Sequence, residues 1–139
     1  MSVFSAEFSL DTSGNADVLD ITTQVSGLVA SSGFIDGIVL VYVPGSTAAI
    51  TTIEFEPGLV RDLKVALERL APEGTTYFHN ERWHDGNGHS HIRASFLGQS
   101  ESFPLINGDI LLGIWQQIIL VDLDNRPRSR KVIVQVYGE

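Results

Sequence analysis

The sequence predicts an α+β fold: a mostly antiparallel sheet arrangement with about two helices packed on one side, as a single domain over residues 1–139. Three observations predict it. Several segments alternate apolar and polar residues, or run apolar without a break, as strands do. Two others repeat apolar residues at helical spacing, and no Gly/Ser-rich or Pro-rich linker divides the chain. A length of 139 residues suits one domain.

The elements follow in order. Phe4, Ala6, Phe8 and Leu10 alternate with smaller or polar residues, which predicts a half-buried strand. Ile21, Val25, Leu28 and Val29 then recur at helical spacing, with Thr22 or Thr23 as N-cap and Gly33 as the stop. Residues 36–43 (DGIVLVYV) form a nearly continuous β-branched run, expected to be a strand buried on both faces. Pro44-Gly45 breaks it, and residues 47–54 resume an extended pattern. After Glu56-Pro57-Gly58 the spacing predicts a helix over 58–70, with Leu59, Leu63, Leu67 and Leu70 in its apolar stripe and Pro72 beyond its end. From His91 onward only strands are expected, over 91–97, 101–104, 110–123 and 131–137. Turns fall at Gly98, Asn107-Gly108 and 124–127.

Charge and composition exclude several functions. Nine Lys and Arg against 17 Asp and Glu give a net charge of −8. Nucleic acid and anionic membrane surfaces are therefore not expected as partners, since both are held by clustered cations. There is no cysteine, which removes disulfides, iron–sulfur clusters and thiol catalysis. The N-terminus lacks the basic and apolar regions of a secretory signal. The longest uncharged apolar run, residues 110–121, is 12 residues, against the roughly 20 that a membrane-spanning helix needs. A cytoplasmic location is the expectation.

The strongest local signal is a histidine cluster. All four histidines, His79, His84, His89 and His91, fall between residues 79 and 91. On an extended segment His89 and His91 project to one side with Cβ atoms about 6–7 Å apart, within reach of one ion. The Gly-rich loop 85–88 returns the chain toward His79, which supplies a third ligand. Three imidazoles with an open position are the pattern of a catalytic zinc site. His79, His89 and His91 are thus the candidate metal ligands, zinc being expected and magnesium or manganese the alternatives. His84 has no partner at matching spacing, and Asp85 could orient an imidazole.

Other polar residues stand in apolar company. Gln116 and Gln117 interrupt the run ILLGIWQQIILV, and at least one amide should be buried and in need of partners. Glu54 closes an otherwise apolar and hydroxylated strand, where desolvation would suit it to general base work. Ser46 and Thr47, after Pro44-Gly45, can offer hydroxyls and amides to a phosphate. Arg128 and Arg130, two apart, can clamp an anion. No GxxxxGKS/T, GxGxxG or GxSxG motif is present.

Together GSTAAITTIE (45–54), YFHN (77–80), DGNGHSHIRASFLGQS (85–100), PLINGDILLGIWQQIILVDLDNRPRSR (104–130) and the closing VYGE resemble the YjbQ family, also called secondary thiamine-phosphate synthase enzymes. The resemblance is close over residues 40–139 and looser before them. It implies a small α+β fold, a homotrimer, and a polar pocket built around the family histidines. It also implies weak joining of hydroxymethylpyrimidine pyrophosphate to a thiazole phosphate. Carried over by position, the matching residues are Thr47, Glu54, His79, Asn87, His89, Ser90, His91, Trp115, Gln116 and Arg130. One departure stands out: where many members carry His just before the hydroxyl pair, this chain has Gly45.

The combined expectation is an enzyme with Glu54, His89 and Gln116 as catalytic residues. Ser46, Thr47, Asn87, Ser90, Trp115, Arg128 and Arg130 would bind a small phosphorylated molecule. The alternative is a non-catalytic trimeric protein that captures a small anion or a partner.

Overall fold

A computed structural model describes residues 1–139. Its larger sheet has five strands in the order β1 (Ser2–Thr12), β8 (Arg128–Gly138), β3 (Gly37–Tyr42), β5 (Ser100–Ile106) and β6 (Asp109–Ile110). The smaller sheet has three, β2 (Asp17–Asp20), β7 (Gln117–Asp122) and β4 (Ala48–Ile53). Every pairing is antiparallel. Four helices complete the chain: α1 (Thr22–Ser32), α2 (Pro57–Leu70), α3 (Phe78–Trp83) and α4 (Gly88–Leu97).

Two apolar layers hold these elements. Val39, Val41, Val134 and Val136 of the larger sheet meet Ile50, Ile118 and Leu120 of the smaller one, and α1 closes this core with Val25 and Val29. On the other side of the smaller sheet, Ala49, Ile119, Val121 and Leu123 pack against Leu67 of α2 and Ala94 of α4. The smaller sheet is therefore covered on both faces, which is why β7 reads as an unbroken apolar run. The larger sheet is covered on one. Ile38, Leu40 and Tyr42 of β3 face outward, so its expected two-sided burial is corrected to a one-sided alternation.

The two expected helices are present. α2 begins one residue earlier than predicted, with Pro57 in its first turn and Glu56 accepting from the Gly58 and Leu59 amides. α1 ends at Gly33 in the left-handed conformation. At its start the expected Thr22 or Thr23 cap is corrected: Ile21 is the cap residue and makes no side-chain bond, while Asp20 Oδ1 accepts from the amide and hydroxyl of Thr22.

Two predicted strands fail. Residues 91–97 belong to α4, whose inner face is Gly88, His89, Ser90, Arg93 and Ala94. Mostly polar, that face carries no apolar stripe to read. Residues 110–123 are not one strand either. β6 ends at Ile110 and β7 starts at Gln117, with an irregular tip between them that leaves Ile114 81% and Trp115 69% exposed. No helix is long and apolar enough to cross a membrane.

Candidate functional site

The site lies where β4 and β8 begin and β7 ends. Asp122 ends β7 and Asp124 lies two residues past it, while Arg128 and Arg130 open β8, two residues apart and turned to the same face. Arg130 grips Asp122 with two parallel bonds, Nε to Oδ2 at 2.8 Å and Nη2 to Oδ1 at 3.0 Å. Both residues are buried, so neither charge could stand there alone. Thr12 donates to Asp122 at 2.5 Å. Thr47 Oγ1 accepts from Arg130 Nη2 at 2.8 Å and donates to Asp124 Oδ2 at 3.2 Å.

Asp124 carries the network outward. Its carboxylate accepts from the Asn125 amide, Asn87 Nδ2, Thr47 Oγ1 and Arg128 Nη1. Burial pushes its pKa up, but these donors outweigh burial and hold it below the ordinary carboxylate value. With Nδ2 committed to Asp124, the Asn87 amide turns Oδ1 toward His79 Nε2 at 3.0 Å. Because Oδ1 can only accept, the bond is made with a proton on His79 Nε2. Asp85 stands 3.4 Å from the same nitrogen. Asp124 thus orients the His79 ring through Asn87.

His79 on α3 meets His91 on α4, with ring centroids 4.3 Å apart. Gly88 allows the approach of the two helices: a Cβ there would lie 2.5 Å from that of Tyr77. Burial first, then the neighbouring His79 charge, lowers the His91 pKa, while Asp85 and Asp124 act the other way. His91 is therefore a neutral imidazole at pH 7.

His89 does not join this pair. Two residues apart on a helix are about 200° apart around the axis, whereas the strand parity expected from sequence would have aligned them. His89 turns to Tyr77, with ring centroids 6.4 Å apart, and shares its side of α4 with Arg93. Arg93 is bonded to the Ala71 carbonyl and to Glu68. Burial and then the Arg93 charge lower the His89 pKa. Its Nδ1 and the Ser90 hydroxyl are the enclosed side-chain polar atoms without a partner. No group of three or more His, Asp or Glu side chains is placed to hold a metal ion. The expected His79–His89–His91 zinc set is thus corrected to a His79–His91 pair, and the donors of one chain do not fit the implied ion.

The remaining predicted residues divide. Thr47, Asn87, Arg128 and Arg130 belong to the network, and exposed Ser46 adjoins it. Glu54, Trp115 and Gln116 do not. Glu54 follows the far end of β4, seven residues of extended chain from Thr47, or about 23 Å. Gln116 is half-buried there, taking the Gly113 amide on Oε1 and donating to Thr52 at 3.2 Å. Gln117 Oε1 accepts from the Phe55 amide, so both side chains hold local backbone. The sequence reading missed Asp122, Asp124 and Thr12. Two acids two apart at the end of an apolar strand, followed by two arginines two apart, were the available signal. The two concave depressions of the surface lie on the larger sheet, beside Ile38 and Pro104 and beside Ser5 and Ile133. The histidine site is an open polar network, not an enclosed cavity.

Comparison with known proteins places the chain in context. The family model described as UPF0047 protein YjbQ-like matches residues 6–139. A UPF0047 protein of Methanothermobacter thermautotrophicus is 42% identical over 139 residues, covering all of this chain and 95% of its own. One from Archaeoglobus fulgidus is 40% identical, over 93% of this chain and 98% of its own. The crystal structure of a YbjQ-like protein of unknown function from Sulfolobus solfataricus superposes with a TM-score of 0.94 at 36% identity, over 99% of both chains. An uncharacterised YjbQ/UPF0047 protein of Clostridium acetobutylicum gives 0.86 at 38% identity, over 95% of this chain and 99% of its own.

Proposed function

The chain belongs to the UPF0047 family of YjbQ-like proteins, and from that premise we propose that it is an enzyme binding a small phosphorylated molecule at the His79–His91 end of the smaller sheet. One observation carries the reading: two imidazoles with centroids 4.3 Å apart, linked through Asn87 to the aspartate–arginine network. A phosphoryl group beside the pair would stabilise imidazolium, so the lowered His91 pKa rises and binding takes up a proton. Arg128, with side chain 34% exposed and one nitrogen on Asp124, adds a fixed cation.

The reaction assigned is the weak thiamine-phosphate synthase condensation that the resemblance implies. The thiazole ring nitrogen gives its lone pair to the methylene carbon of hydroxymethylpyrimidine pyrophosphate. The carbon–oxygen bond breaks, and pyrophosphate leaves with the bonding electrons. No proton moves in that step. The protein has to hold the phosphates and stabilise charge on the departing group, work that suits the two imidazoles together with Arg128. A homotrimer belongs to the proposal. One chain leaves the network open to water and leaves apolar Ile114, Trp115, Ile38 and Tyr137 uncovered, which supports self-association.

The test is product formation from the two substrates, followed as thiamine phosphate. Wild type should form it, and His91→Ala and Arg128→Ala should each lower the rate by about 100-fold. No product from folded wild type, with histidine resonances unmoved by pyrophosphate, would end the proposal. Pyrophosphate binding without product would favour the second reading, a non-catalytic small-anion binder. That reading has support of its own, since the histidine site is an open polar network and neither surface depression lies at it.

A further inference from the structure

Arg130 has five N–H groups and the network uses three. Nε and one N–H of Nη2 go to Asp122, and the other N–H of Nη2 goes to Thr47. Nη1 has no partner in the chain, although the side chain is only 6% exposed. Because the enclosed unpartnered atoms are His89 Nδ1 and Ser90 Oγ, Nη1 keeps some contact with solvent. What lies over it is Gly45. A Cβ on Gly45 would stand 3.1 Å from Nη1, and the residue's φ of +122° disfavours any side chain there.

A second observation points to the same place. The backbone N–H groups of Gly45, Ser46 and Thr47 donate to no acceptor in the chain, three in succession, and Thr47 is itself buried. Gly45 and Ser46 are exposed and Thr47 is buried, so the run opens from the surface inward, and successive free amides beside a guanidinium are the donor pattern of an oxyanion site. Arg128 lies on the same face of β8, two residues away, with nitrogens to spare beyond the one on Asp124.

We infer that Arg130 Nη1 and the Gly45–Thr47 amides form a binding position for one phosphate group, and that Gly45 keeps it open. This deepens the proposed function by assigning a phosphate subsite, and so rests on that reading. The two aspartates offset the charge of the two arginines. The position therefore selects by directed hydrogen bonds and not by net charge, and it should prefer a tetrahedral oxyanion to chloride.

The test is titration of the folded protein with inorganic phosphate, read in ¹H–¹⁵N spectra. Phosphate should move the amides of Gly45, Ser46 and Thr47 and the Arg130 side-chain signals, and chloride at equal ionic strength should not. Gly45→Ala should weaken this binding at least tenfold. Gly74→Ala, at a glycine with open space around it, should leave it unchanged. The wild-type measurement stands even if Gly45→Ala does not fold. Phosphate shifts at His79 and His91 with residues 45–47 and Arg130 unmoved would overturn the inference and leave the proposed function intact. An equal response to chloride would overturn it as well. No shift at either place would remove both.

Discussion

At the scale of single residues, the decisive fact is that His91 is held neutral by burial and by His79, in that order. Replacing His79 with Gln should raise the His91 pKa only part of the way to 6.5, because the larger cause remains; a histidine NMR titration checks this. The folded-state values of His89 and His91 both lie below the unfolded value, so the unfolded chain binds more protons just under pH 6.5. Their contribution to stability is complete above that pH and is lost as the pH falls through the folded values. Melting temperature should therefore drop from pH 6.5 downward, and the slope should be shallower in His89→Gln. Asp122→Ala leaves Arg130 buried and unpaired, at a cost of about 3–5 kcal/mol by denaturant unfolding. Much of this is legible in the sequence: residue type and spacing point to the histidine cluster, Thr47 and both arginines, and the family resemblance adds Asn87. Asp122 and Asp124 are not, because an acid after an apolar strand looks like a turn residue until its partner strand is known.

At the scale of elements, α4 decides which histidines meet. It went unread as a helix because the face it buries is Gly88, His89, Ser90, Arg93 and Ala94, so burial left no apolar period in the sequence. The 110–123 run erred the opposite way, its apolar residues being partly a surface tip and not core. α2, with leucines on its buried face and Pro57 and Glu56 at its start, was plain from the pattern. Gly88→Ala forces a methyl group against Tyr77 and should cost about 1–3 kcal/mol in thermal or denaturant unfolding. It should also separate the His79 and His91 rings. The His91 pKa should then rise toward its ordinary value, a shift that simple destabilisation would not produce.

At the scale of the whole molecule, the outer face of the larger sheet carries a row of neighbours, Val3, Tyr137, Ile38 and Pro104, one on each of four adjacent strands. Light scattering should give about three times the 15.2 kDa of one chain, and the double variant Ile38→Lys/Tyr137→Lys should move the mass toward that of a single chain. A mass of one chain for wild type would remove the trimer. The order of the strands carries a further consequence. β1 pairs with β8 along its full length, from Ser2 with Gly138 to Thr12 with Arg128, so the opening strand has no mate until residues 128–138 have been synthesised. During translation the nascent chain must keep an unmatched, half-apolar ribbon from sticking elsewhere, and the guanidinium of Arg130 reaches Asp122 only once β8 has been made. The buried Arg130–Asp122 pair forms only once β8 has paired, so fragments cut short of β8 should lack the network around it as well as clump.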